Sequence, residues 1–169
     1  ITISAIIAYT KFFLPEFIGR FEYLSKFITQ VDGNKEVYFL PKTSVQPNPI
    51  LTRGLLDRIT GDAVTNLESR GNERRVNILG ISMGNAPAYK LSSIVPAGKL
   101  ISVTPGSLLP ECIWESIATR KIAQNSGKTL EEYRKDLDDF SPIHNLNRLN
   151  NSLIEIYLGK QDRMVPYER

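Results

Sequence analysis

The sequence predicts a single α/β domain built on a mostly parallel sheet with helices on both faces. Three observations carry that expectation. Short apolar runs alternate with helical patterns along the chain, and that alternation is what the crossovers of a parallel sheet require. The runs are short and rich in β-branched residues, as strands buried on both faces are. One of them, Val76-Asn77-Ile78-Leu79, passes straight into Gly80-Ile81-Ser82-Met83-Gly84, with a helical pattern behind it.

Taken in order, Ile1 to Ala8 reads as a buried strand, closed by Tyr9-Thr10 and the aromatic stretch Lys11-Phe12-Phe13-Leu14-Pro15. Glu16 to Thr29 has a helical period that puts Phe17, Phe21, Leu24 and Phe27/Ile28 on one face, ready to dock on a sheet. Asp32-Gly33-Asn34 signals a turn, and Glu36 to Leu40 a second strand. The stretch Pro41 to Pro49 is an irregular loop with three prolines. Leu51 to Leu67 follows as a helix with Leu55, Leu56, Ile59 and Val64 inward. After the third strand, Val76 to Leu79, a helix over Asn85 to Ile94 tolerates Pro87 because it falls in the first turn. Lys99 to Val103 is a fourth strand and Leu153 to Leu158 a fifth. Between them, Leu108 to Phe140 is helical and charged, broken at Asn125-Ser126-Gly127. The block 107–140 reads as an insertion above the sheet, and the whole chain, 1–169, as one domain without internal repeats.

Bulk composition narrows the function classes. A chain of 169 residues with 41% hydrophobic and 23% charged residues has enough for one real core. The net charge is +3, from 21 Lys+Arg against 18 Asp+Glu, and Arg74-Arg75 is the only adjacent arginine pair. A nucleic-acid groove needs a denser basic stripe, so no nucleic-acid partner is expected. The single cysteine, Cys112, forms no internal disulfide, and no Cys/His cluster offers a structural zinc site. That usage fits a reducing, cytoplasmic compartment. No run approaches the roughly 20 apolar residues of a membrane helix, and Ile1 to Ala8 lacks the flank and length of a signal peptide, so no membrane partner is expected. The chain starts inside one apolar run and stops a few residues past another, which predicts a fragment incomplete at both ends.

The chemistry centres on Ser82. A serine hydroxyl is a poor nucleophile at neutral pH and must be aimed at its substrate and paired with a base. A tight strand-to-helix turn does the aiming: it strains the serine backbone and demands small residues two before and two after, here Gly80 and Gly84. The helix that follows turns its free N–H groups and positive dipole end toward the reacting oxygen. The amide of Met83 is then one donor to a tetrahedral oxyanion. With glycine at ~7% of residues and serine about as common, the three fixed positions recur by chance in roughly one chain in twenty of this length. The strand before and the helix after are what separate this motif from a glycine-flanked turn with an incidental serine.

A second motif, Gly159-Lys160-Gln161-Asp162-Arg163-Met164-Val165-Pro166, directly follows the last strand. By physical argument alone, an aspartate there orients a histidine, sits in a turn or caps a helix. Strand–GxSxG–helix followed by strand–GxxDxxVP resembles the α/β-hydrolase superfamily of serine esterases, lipases and thioesterases. The resemblance spans most of the chain, Ile1 to Pro166, although only these two motifs are specific. It implies the α/β-hydrolase fold with a lid-like helical insertion, Ser82 as nucleophile and Asp162 as the acid of the triad. It also implies a second oxyanion donor from the loop after an earlier strand. Here that loop is Tyr9-Thr10-Lys11, which has no His-Gly or HGGG, so Thr10 and Lys11 match by position only.

Family order is Ser, Asp, His, and none of the seven residues after Asp162 is a histidine. The only one, His144, precedes the last strand and reads as a hydrogen-bonded loop residue rather than the base. The base is therefore expected beyond Arg169, and the chain as given to be inactive without it. Phe12, Phe13 and Phe17 either line an acyl pocket beside the oxyanion loop or pack the following helix. Trp114, with Ile113, Ile117 and Ile122, either roofs the site as a lid or packs the insertion on the sheet. Lys135 to Asp139 reads as a solvated face. The implied activity is cleavage of a small-molecule carboxylic ester or thioester through an acyl-enzyme on Ser82, with no metal or cofactor. The rival is a non-catalytic member of the fold that binds a ligand or protein partner, and a transferase or lyase on the same scaffold is a further alternative.

Overall fold

The computed structural model describes residues 4–9, 35–40, 44–69, 76–149 and 153–158. Within them lie five strands: β1 (Ser4–Tyr9), β2 (Lys35–Leu40), β3 (Val76–Ile81), β4 (Ala97–Val103) and β5 (Leu153–Tyr157). All neighbours pair in parallel, in the order β2-β1-β3-β4-β5. In β3 and β4 apolar side chains bury on pairing, as Ile78 and Leu100 do completely, whereas β5, the last strand of the described sheet, leaves Leu153, Ile156 and Tyr157 exposed, against the expectation of a strand buried on both faces. The carboxyl ends finish level, since Ala8 pairs with Ile81, Ile81 with Val103, and Val103 with Tyr157. The helix expected over Glu16 to Thr29, the turn at Asp32-Gly33-Asn34 and the loop through Arg74-Arg75 lie outside the described residues.

Helix α1 (Pro49–Ser69) opens with proline in the first turn and with the Asn48 side chain accepting a hydrogen bond from the Ile50 amide at 3.1 Å. Its inward face differs from the one expected. Leu56 and Ile59 are buried as predicted, but Leu55 and Val64 are half-buried, and Thr52, Thr60, Ala63 and Leu67 complete the face. Periodicity placed the stripe by hydrophobicity, whereas both threonines are admitted by local bonds. The Thr60 hydroxyl donates to the Leu56 carbonyl at 2.8 Å, and Thr52 Oγ1 accepts from the Gln46 amide at 2.9 Å.

Helix α2 (Asn85–Ser92) follows β3 through one tight helical turn, Ser82–Gly84, and packs against α1 and β3, with Pro87 in its first turn as expected. The insertion forms three short helices, α3 (Leu109–Glu115), α4 (Arg120–Gln124) and α5 (Leu130–Leu137). A turn at Asp138–Phe140 and the short α6 (Pro142–Asn145) then lead back toward the sheet. Gly127, at φ +74, makes the break between α4 and α5. Helix α5 begins with a full capping box, Thr129 and Glu132 each bonding the other's amide.

The insertion is docked on the rest of the domain through Tyr133, Leu137 and Phe140, all fully buried. The Tyr133 hydroxyl donates toward the Gln46 and Pro47 carbonyls, 3.2 and 3.1 Å away. The expectation of a solvated face over Lys135 to Asp139 fails at the buried Leu137 and at Asp139. That carboxylate takes a two-pronged bond from Arg53 of α1, both contacts at 2.8 Å, and a third from Lys90 of α2 at 3.3 Å. Arg53 and Lys90 also lie over the Phe140 ring, 5.8 and 5.6 Å from its centroid. These partners are 86 and 49 residues away in sequence, so no local pattern announces them.

Burial alone would raise the Asp139 carboxyl pKa, but the Arg53 fork and the Lys90 charge outweigh it and hold it below the usual carboxylate value. A depressed folded-state pKa contributes stability above the unfolded value that is lost as pH falls through the folded one. Asp139→Asn is therefore expected to cost about 1 kcal/mol at pH 7, the value for a charged fork discounted for its part-exposure. That difference should shrink below about pH 4. Thermal melts of both proteins at pH 7 and pH 3 check it, and an equal loss at both would refute it.

Candidate active site

In a doubly wound sheet of order β2-β1-β3-β4-β5, chain connections leave in opposite directions from β1 and β3, and ligands bind at the carboxyl end of that crevice. Ser82 stands directly after β3, at this switch point. Its φ is +54, a left-handed backbone that a residue with a Cβ adopts only under constraint. The constraint begins at Gly80, where a Cβ would come within 2.6 Å of Asn85 Oδ1, 2.8 Å of Asn85 Cα and 2.9 Å of Ala88 Cβ. Glycine is what lets α2 approach β3 closely enough to make the turn. Gly84 is buried with a helical φ of −63, so no left-handed demand selects glycine there.

Met83 is the middle residue of the Ser82–Gly84 turn that leads into α2, so its amide lies in the first turn of that helical run. Its side chain is half-buried against the core. Sequence reasoning missed Asn85 and Ser102, which lie directly beneath this turn. Asn85 is 1% exposed and bonds the Ser82 carbonyl, the Val103 carbonyl and the Ser102 hydroxyl. No local signal singled Asn85 out: asparagine is ordinary at a helix start, and the rest of α2 mixes Lys90 and Ser92 with apolar residues. Beside them, Tyr89 is 1% exposed, and burial raises its hydroxyl pKa despite a hydrogen bond with Ser102 that lowers it.

A cleft opens over Ser82. The domain side supplies Val45, Ser82, Met83, Asn85 and Ala86, and the insertion supplies Leu109, Cys112, Ile113, Ser116, Ala118 and Thr119, with Gly106 and Pro142 at its ends. None of these carries a charge. Of the polar side chains opposite Ser82 in the lining, Thr119 donates to the Ile113 carbonyl at 2.6 Å, and Ser116 Oγ accepts from the Ala118 amide at 3.2 Å. The lining is therefore largely apolar, with Ser82 part of it.

The predicted residues fall into three groups. Gly80, Ser82, Met83 and Gly84 come together as one turn. Trp114 is not among the cleft-lining residues; its ring meets Tyr133 edge-on at 5.6 Å, a contact between α3 and α5. Thr10, Lys11, Phe12, Phe13 and Asp162 lie outside the described residues, although the strands that precede them are fixed: β1 pairs with β3, and β5 lies one strand beyond. His144 lies in α6, half-exposed, with its Nε2 3.9 Å from Asp138 Oδ1, and it does not line the cleft. Asp138 has a raised carboxyl pKa, chiefly through burial, with His144 opposing. Among the described residues no helix is long and apolar enough to cross a membrane.

No family profile matches the chain, and no curated protein matches it. Among the solved structures similar to it are the following three. An alpha/beta hydrolase enzyme from the metagenome of lagoon sediments at Mar Chica, Morocco, is 15% identical, with a TM-score of 0.41, covering 97% of this chain and 83% of that one. A lipase-esterase related protein from Clostridium acetobutylicum is 14% identical, with a TM-score of 0.40, covering 96% and 87%. Phospholipase PlaB from Legionella pneumophila is 15% identical, with a TM-score of 0.41, covering 97% of this chain and 40% of its own.

Proposed function

We propose that the chain is the core of an α/β-hydrolase that cleaves a small-molecule carboxylic ester or thioester through an acyl-enzyme on Ser82. The carrying observation is the strained Ser82, φ +54, at the carboxyl end of β3 at the sheet's switch point, opening into an uncharged cleft. Strain of this kind is held only where surrounding structure over-determines it, and it concentrates at functional sites. In this reading the Ser82 hydroxyl attacks the substrate carbonyl carbon while a histidine base takes its proton. The base returns that proton to the departing alcohol or thiol as the tetrahedral intermediate collapses. Water, activated by the same base, then releases the acid and restores Ser82. The Met83 amide and an amide from the Thr10-Lys11 loop stabilise the oxyanion, and Asp162 orients the base. The 107–140 insertion roofs the cleft. The cycle needs no metal or cofactor.

The base is the piece this sequence does not supply in a suitable place, since His144 pairs with Asp138 away from the cleft. The reading takes it from a histidine outside these 169 residues in the whole protein. The same observation favours the rival, a non-catalytic fold member that binds a ligand in the cleft. A fluorophosphonate probe separates the two on the full-length protein. Labelling at Ser82, absent in Ser82→Ala, is expected, and folded protein that stays unlabelled would overturn the hydrolase reading. His144→Ala is expected to keep most of the turnover; a fall of about 10³-fold would make His144 the base after all.

A further inference from the structure

Asn85 is the first residue of α2, with helical φ −64 and Gly84 before it in the cap position, so its side chain is not called on to cap the helix's own amides. Its Oδ1 takes the Ser102 hydroxyl at 2.6 Å, and its amide nitrogen donates backward, to the Ser82 carbonyl at 2.8 Å and the Val103 carbonyl at 2.9 Å. Those two carbonyls share a property. Ser82, at φ +54, and Thr104, at φ +47, are the non-glycine residues with positive φ among the described residues. One bond goes to the carbonyl of the first, and the other to the carbonyl immediately before the second. A left-handed backbone is disfavoured for any residue with a Cβ, most of all for branched threonine, and needs neighbours that hold it. A single buried amide group holds both, and it bridges the carboxyl ends of β3 and β4.

The geometry points to Asn85 as the positioning residue of the serine turn. By fixing the Ser82 carbonyl it sets the left-handed backbone there, and with it the direction of the Ser82 hydroxyl and of the adjoining Met83 N–H. The two carbonyls, which can only accept, decide which way round the amide sits, and the Ser102 hydroxyl, by donating to the remaining Oδ1, holds Asn85 in that position. Asn85 touches no reacting atom in this role. Its consequence for catalysis rests on the hydrolase reading of Ser82; the clamp itself does not.

The test uses the full-length protein with Asn85→Ala and Ser102→Ala, and Leu56→Ala for comparison. Leu56 is fully buried in α1, so its truncation weakens the fold outside the serine turn. Two readouts are taken: kcat and KM for p-nitrophenyl butyrate, and the Ser82 Cα and Cβ NMR shifts, which report backbone conformation. Asn85→Ala is expected to move the Ser82 shifts out of the left-handed range and to lower kcat about 100-fold, the scale of a misaimed reacting group, with KM little changed. Ser102→Ala should move both in the same direction by less, and Leu56→Ala neither.

Ser82 shifts that stay at wild-type values in Asn85→Ala overturn the clamp, whatever happens to activity. Shifts that move with kcat unchanged overturn its catalytic role. Should the wild-type protein neither turn over ester nor take a fluorophosphonate while the shifts still move, the clamp stands and the hydrolase reading falls. If Asn85→Ala fails to fold, the shifts of Ser102→Ala decide by the same criteria.

Discussion

Replacing Ser82 by glycine in the full-length protein is expected to abolish ester turnover and at the same time to raise the melting temperature. The first effect follows from removing the attacking oxygen, a loss on the order of 10⁶-fold in kcat where the nucleophile acts as one unit with its base. The second follows from φ +54 at this position. A residue with a Cβ carries about 1–2 kcal/mol of strain in the left-handed region, which glycine does not feel. Glycine gives back roughly 0.5–1 kcal/mol through its freer unfolded chain, leaving a net gain of about 0–1.5 kcal/mol, centred at roughly 0.8 kcal/mol. At this chain length each kcal/mol moves the melting temperature by about 2–4 °C. The bond from Asn85 reaches the Ser82 main chain and survives the change. Ser82→Ala keeps the Cβ and hence the strain, so it should lose turnover with no thermal gain. Calorimetry beside a p-nitrophenyl ester assay separates the two variants. A lower melting temperature for Ser82→Gly than for Ser82→Ala would mean that the serine backbone stores no strain.

What was legible in the sequence was whatever is local. The third strand and the helix behind it are written in adjacent residues, so the turn between them could be placed to the residue. The five strands likewise come from short apolar runs that can be located without knowing their partners, although β5 leaves Leu153 and Ile156 exposed. The inward face of α1 was misjudged because Thr52 and Thr60 look polar until their hydroxyls find the Gln46 amide and the Leu56 carbonyl. Asp139 and Asn85 were missed for a different reason. Their partners stand 86, 49, 18 and 17 residues away, and no periodicity or spacing encodes a contact that only the finished fold creates. The pattern of error is informative in itself. The missed residues are polar groups that join separate elements, and both tie elements to α2, the helix that aims Ser82.

The close approach of α2 to β3 is the part of the site most exposed to a single methyl group. Gly80→Ala is expected to cost about 3 kcal/mol, the upper range for overpacking, and so to lower the melting temperature by about 6–12 °C. The added carbon would meet three atoms at once, at 2.6, 2.8 and 2.9 Å, all inside the closest distance real Cβ atoms show. None can step aside cheaply. Asn85 Oδ1 is held by Ser102, Asn85 Cα is backbone, and Ala88 is fully buried one turn along. The helix must retreat from the strand as a unit, carrying Asn85 away from the Ser82 and Val103 carbonyls. Turnover should therefore fall by about 100-fold or more in whatever protein still folds. Gly54 and Gly61 supply the contrast, because a Cβ at either meets nothing within 4 Å on the exposed side of α1. Alanine there should stabilise by up to about 1 kcal/mol, the ordinary helix preference, and leave turnover alone. Melts and assays of the three variants check this together. A Gly80→Ala protein as stable and active as wild type would mean that α2 can move without disturbing the serine, and that the turn is not what aims it.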